Sequence, residues 1–293
     1  MAPVGRKLRQ GRYFRYTFPV RSIASLPVAL VLAAGSVQAG PYAWTRSYDA
    51  AQSLETRIAP PDGYARVPAP EGSFGRWLRG LPLKAGRPPV HLYDGTLKGN
   101  QEAHWAVVDI DAGTRDLQQC ADAVMRLRAE YLFAAGRTSE ISFNFTSGDA
   151  AAFARWADGF RPHLRGGRVS WARDAKPDSG VGAFRAYLDT VFNYAGTASL
   201  VKELSPVRDS RDIEIGDVFI VGGHPGHAVL VVDVAVRKKD GQKVFLIAQS
   251  YMPAQEIHVL RNPAHAAHPW YDAEGSALET PEWTFHRGDL RRF

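Results

Sequence analysis

Cysteine is almost missing from this chain. Cys120 stands alone among 293 residues, which excludes an intramolecular disulfide and leaves two roles for the thiol, buried and inert or kept for reactivity. Acidic residues are missing from the first 39 positions, where Arg6, Lys7, Arg9, Arg12, Arg15 and Arg21 stand. No long apolar run occurs there either. The stretch from Ile23 to Ala34 is too short for a bilayer-spanning helix in the mature chain. No cysteine follows it to carry a lipid anchor. No glycine-rich loop joins a strand to a helix, so a phosphate cradle for nucleotides is not indicated. Internal repeats and low-complexity tracts are absent as well.

A basic lead, a short apolar run and Val37-Gln38-Ala39 read as a secretory signal over residues 1–39. The expected destination is the periplasm or cell envelope. The signal also accounts for the basic charge. Without its six basic residues, the 36 Lys and Arg fall to 30, matching the 30 Asp and Glu. A neutral mature chain gives no support for nucleic-acid binding.

Residues 40–89 read as an extended N-terminal segment rich in proline and aromatics, and residues 90–293 as a single α+β domain. Val90–Tyr93 and Ala103–Ile110 have strand composition. Asp116, with Gln119 three residues on, has a helix-start signature, and Leu117, Cys120, Val124, Leu127 and Tyr131 recur at helical spacing up to Gly136. Ile141–Phe145 reads as a strand, Asp149–Trp156 as a helix, and Arg168–Trp171 as a strand. Helices are expected over Ala183–Tyr194 and Thr197–Leu204. Four closely spaced strands follow: Asp217–Val221, His227–Val236, Lys243–Ser250 and Glu256–Leu260. Their short connections favour an antiparallel sheet, so helices precede sheet.

The richest stretch is Gly216 to Val232. A Gly-Asp strand, a Gly/Pro turn and a strand opening on His227 resemble the way papain-like hydrolases of the NlpC type present a catalytic imidazole. A longer resemblance, from Val90 to Phe293, is to a bacterial envelope family known as domain of unknown function 4846. It rests on Leu117 to Leu132 (LQQCADAVMRLRAEYL), Tyr194-Ala195-Gly196-Thr197 with Ser199-Leu200, Gly216 to Val232, Ala248 to Glu256 (AQSYMPAQE) and Thr280 to Phe285. Where that family carries Ser after Gly-Gly, this chain has His224, so His224 is not expected to hold the shared role.

The NlpC-type resemblance implies a papain-like core and amide hydrolysis or acyl transfer on a cell-wall peptide, while the 4846 resemblance implies no activity. Cys120 is the candidate nucleophile, favoured as thiolate by the amides of its helix start. His227 is the base, with Gln249 or Ser250 orienting its ring, and Gln119 or Gln118 an oxyanion donor. The expectation is geometric: sulfur and imidazole meet in an open groove. Ser199 and Thr197, near the NlpC nucleophile position, read as helix caps.

The competing reading is a non-catalytic module for a cell-wall glycan or peptide, with Trp270, Tyr271 and Trp283 as exposed stacking aromatics. His224 and His227 have His-x-x-His spacing but lack a visible third ligand, so neither metal nor cofactor is assigned. Asp109 and Asp111 read as turn residues rather than paired catalytic carboxylates.

Overall fold

The computed structural model describes residues 41–293 apart from residue 46, so the signal-peptide reading lies outside the described residues. The described residues form one compact unit. Its main elements in chain order are β1 (Tyr64–Arg66), β2 (His104–Val107), α1 (Cys120–Ala134), α2 (Val181–Tyr194), α3 (Thr197–Glu203), β3 (Val218–Val221), β4 (His227–Arg237), β5 (Lys243–Gln249), β6 (His258–Leu260) and β7 (Leu290–Arg292).

The large sheet runs β2-β6-β5-β4-β3-β7 and ends on Ser205–Pro206, with β1 on β4 and Tyr271–Asp272 on β5 as side branches. Each of these pairings is antiparallel. The expected α+β layout with an antiparallel sheet is what forms.

β4 is buried over its first nine residues, because both faces of the sheet are covered. Alternation along the strand divides its side chains between two cores. Ala228, Leu230 and Val232 join the larger core, with Val124 and Leu127 of α1 and Phe184 and Leu188 of α2. Val229 and Val231 face a smaller core with Phe219, Phe245, Phe285 and Leu290. The Val-rich run thus reads as a strand buried on both sides.

The described residues before 90 belong to the fold. β1 pairs with Ala235 to Arg237, a short helix spans Phe74–Arg79, and Leu54, Ile58, Leu78, Leu81 and Leu83 lie in the larger core. Arg79 and Arg66 also reach the buried Asp233 of β4, at 2.8 and 2.6 Å. Prolines suggested an extended approach, but apolar residues between them anchor it.

Local readings shift elsewhere. The expected strand at Val90–Tyr93 shrinks to isolated bridges at His91 and Leu92. The helix expected from Asp149 is a strand over Ala150–Ala152, followed by a short helix from Phe153. Phe160–Arg165 and Arg168–Arg173 form a hairpin. α1 begins three residues later than its apolar spacing indicates, because Asp116 does not cap it. Asp116 Oδ1 instead accepts from the Ala254 N–H at 2.6 Å and Gln119 Nε2 at 3.0 Å. Asp122 takes over the cap, its Oδ2 accepting from the Gln119 N–H at 3.0 Å.

Candidate functional site

The late start of α1 makes Cys120 its first residue. His227 opens β4 and pairs across the hairpin with Val221. The connecting turn is tight. A Cβ on Gly226 would lie 2.4 Å from Thr197 Oγ1 and 2.5 Å from the Gly223 carbonyl, so only glycine lets the chain pass here. Thr197 Oγ1 donates to Gly223 O at 3.2 Å, which ties the start of α3 to the turn and fixes where β4 begins.

The imidazole of His227 is 1 % exposed and lies between Tyr251, Trp283 and Phe285, with ring centroids 4.8, 5.4 and 5.7 Å away. Its Nε2 is 2.8 Å from Gln249 Oε1. Gln249 Nε2 donates to Glu282 Oε2 at 2.8 Å, and Lys98 Nζ donates to Glu282 Oε1 at 2.6 Å. A carboxylate paired with an ammonium can only accept. The nitrogen of Gln249 must therefore face Glu282, and its oxygen must face His227. It follows that His227 Nε2 carries the proton and Nδ1 holds the lone pair. The other side agrees: His258 Nδ1 meets the Glu256 carbonyl at 2.9 Å, which leaves its Nε2 as acceptor 3.4 Å from Gln249 Nε2.

The backbone N–H of Ala228, the residue after His227, favours the Cys120 thiolate. The thiol therefore lies by the strand end that His227 opens. Cys120 lines a cleft of ≈ 370 Å³ shared with Gln119, Asp122, Thr197, His224 and Met252.

The thiol is not the low-pKa group expected at a helix start. Burial first, then the charge of Asp122, pushes it up to about 11, against the amides of Ala228, Ala121 and Cys120 itself. Burial pushes His227 down to about 4, with the nearby Lys98 adding to the effect and the Gln249 hydrogen bond opposing it. Without a ligand, both groups are neutral near pH 7. With Cys120 only 6 % exposed, desolvation outweighs the helix terminus.

Residues 54–292 match the sequence profile described as Domain of unknown function (4846). The chain belongs to that family. No curated protein and no solved structure matches it. Four of the five strings on which the 4846 resemblance rested line the cleft, through Cys120, Thr197, Gly226 and Met252, and the fifth packs Glu282 on Gln249 and Trp283 on His227.

The candidates read from the sequence separate here. His227 and Gln249 come together, and Cys120 lies by the amide of Ala228, the residue after His227. Ser250 does not reach the imidazole; its hydroxyl is 2.7 Å from the Gln118 carbonyl and 2.9 Å from that of Gln255, so it ties the end of β5 to the approach to α1. Gln119 lines the cleft, one of its amide hydrogens bound to Asp116 and the other unassigned. Gln118 turns away, its side-chain oxygen taken by the buried Arg126.

Trp270 and Tyr271 are not exposed aromatics: they are 0 % and 3 % exposed. Trp270 donates through its indole N–H to Ala59 O at 2.8 Å, and Tyr271 packs on Phe245. Trp283 is partly buried against His227 and shields its ring. Ser199 Oγ accepts from the Gly196 N–H at 3.1 Å, a capping contact. Asp111 pairs with Arg126 and Arg185 at 2.8 and 3.3 Å. Among the described residues, no three His, Cys, Asp or Glu side chains gather as a metal site, and no helix is long and apolar enough to cross a membrane.

Sequence reading missed Lys98, Asp122, Tyr251 and Glu282. Three of them lie inside the quoted strings, where position beside Cys120, Ser250 and Trp283 was the available signal. Lys98 gave none, because it arrives from a distant loop.

Proposed function

We propose that this cleft performs acyl transfer by a cysteine mechanism, as an amidase or peptidase with a papain-like arrangement acting on cell-wall peptides of the envelope. The observation that carries it is the His227 Nε2 to Gln249 Oε1 bond at 2.8 Å, beside a helix-start thiol on the amide of Ala228. This supports a base with its lone pair on Nδ1, on the strand end that the candidate nucleophile lies against.

In the first step Nδ1 takes the thiol proton while sulfur bonds to the substrate carbonyl carbon, and the carbonyl electrons move to oxygen. The unpaired amides at the start of α1, with the second N–H of Gln119, face that oxyanion. Collapse breaks the carbon–nitrogen bond, and His227 gives its proton to the departing amine. Water, deprotonated by Nδ1, then cleaves the thioester and restores the thiol. Because thiol and imidazole begin neutral, proton transfer accompanies attack rather than preceding it.

The resemblance of the His227 hairpin to NlpC-type hydrolases and the signal-like leader support an envelope substrate. A second reading, a wall-binding module without chemistry, is favoured by the burial of both groups. Incubating muropeptides with wild type, Cys120→Ala and His227→Ala separates the two. Cleavage lost on either substitution, by ~10²-fold or more, supports acyl transfer. Wall binding that survives both, with no cleavage by wild type, supports the module.

A further inference from the structure

Five carboxylates in the described part of the chain are buried: Asp122, Glu130, Asp217, Asp233 and Glu256. Four of them have a cation. Glu130 lies 3.5 Å from Arg126, Asp217 2.6 Å from Arg292, Asp233 2.6 Å from Arg66, and Glu256 pairs with Lys84. Asp122 has none among the described residues. Its Oδ2 accepts from the Gln119 N–H, while its buried Oδ1 has no hydrogen-bond partner. Such a group is costly unless something else supplies its counter-charge.

This carboxylate lines the Cys120 cleft, and the cleft's charged lining is of one sign. Asp116 is there as well, and no lysine or arginine is. We infer that Asp122 is the anchor for a primary ammonium group of the substrate, seated beside the bond that Cys120 attacks. The inference rests on the acyl-transfer reading and names its substrate class: peptides with a free amine close to the scissile amide.

Asp122 is two residues from Cys120, and when ionised its charge disfavours the thiolate. Burial alone favours the neutral acid at Asp122. An arriving ammonium favours the carboxylate and cancels its charge toward the thiol, so the anchor pair leaves the nucleophile unopposed.

Methanethiosulfonates test this without needing hydrolysis. The Cys120 thiolate attacks the reagent's sulfenyl sulfur, a disulfide forms and methanesulfinate leaves. Rates are compared for the aminoethyl, methyl and sulfonatoethyl reagents by intact mass, each normalised to free N-acetylcysteine. Wild type should favour the aminoethyl over the methyl reagent on the order of tenfold and disfavour the sulfonatoethyl reagent, as one nearby buried charge requires. Asp122→Asn keeps the cap acceptor and should lose the preference, whereas Asp116→Asn should keep it. A preference that is absent, or that follows Asp116, overturns the inference while leaving acyl transfer standing. A folded protein whose Cys120 resists all three reagents overturns both.

A second arm needs no variant. Alanine amide, N-acetyllysine amide and N-acetylalanine amide are tested for slowing the methyl reagent on wild type. Slowing by alanine amide alone assigns an α-amine, and slowing by the lysine derivative alone a side-chain amine. Equal slowing by the uncharged amide, or none by either amine, overturns the anchor.

Discussion

His227 and Gln249, the first residue of β4 and the last of β5, meet Nε2 to Oε1 at 2.8 Å. Gln249 is in turn held by Glu282 at 2.8 Å. One strand end therefore sets the proton position on its neighbour, and a third segment makes that setting unambiguous.

The tautomer is directly observable. Nitrogen-15 NMR of His227 should show a protonated Nε2 and a bare Nδ1. Glu282→Gln gives Gln249 a partner that can both donate and accept, so the amide can turn over and part of the His227 population should shift to the Nδ1–H form. Cys120 turnover should fall about tenfold or more, since a base with the wrong tautomer cannot take the thiol proton. A wild-type ring already protonated on Nδ1 would refute the arrangement.

Thiol reactivity has its own pH signature. With Cys120 pushed up to about 11, its alkylation by iodoacetamide should climb tenfold per pH unit from 7 to 10 without a plateau. A plateau below pH 8 would mean a stabilised thiolate, contrary to the burial seen here.

Acid should destabilise the fold well before carboxylates titrate fully. Burial pushes His227 down to about 4 and His258 down to about 3, against about 6.5 in an unfolded chain. Between those values the unfolded chain binds protons that the folded one does not, so stability is complete above about pH 6.5 and falls as pH drops toward 4 and then 3. The His227 share is ~3 kcal/mol, by ~1.4 kcal/mol per unit. Urea unfolding at pH 7.5 and pH 4.5 should differ by a few kcal/mol, and equal midpoints would contradict the burial of both rings.

Arg79→Ala removes one of two cations from the buried Asp233 and should cost ~3 kcal/mol in urea unfolding. Arg211→Ala breaks an exposed pair with Asp209 and should leave the urea midpoint nearly unchanged, because solvent screens the pair. Similar costs at the two positions would mean that Arg66 alone satisfies Asp233.

Much of this arrangement was legible in the residues. Apolar alternation and short turns indicated the antiparallel sheet, and a histidine at a strand mouth, a polar residue one strand later and a cysteine at a helix start were enough to nominate Cys120, His227 and Gln249. What stayed hidden depends on distant contacts. Asp116 was available as a cap until the Ala254 amide claimed it, so the start of α1 moved. Trp270 and Tyr271 looked like surface aromatics because nothing in their neighbourhood shows that the Ala59 carbonyl and Phe245 cover them. The ionisation of Cys120 has two opposed signals in sequence, a helix terminus that favours the thiolate and an apolar stripe that buries it, and only the surrounding fold shows that desolvation wins.

Gln249 waits on Glu282, and β3 waits on Leu290 to pair with Phe219. Both follow in the chain the strands they support. A chain emerging from the ribosome thus carries Cys120 for some 160 residues of synthesis before Glu282 exists to orient Gln249. Delay of that kind would keep the proposed activity silent until that carboxylate has been made, with no separate inhibitor needed.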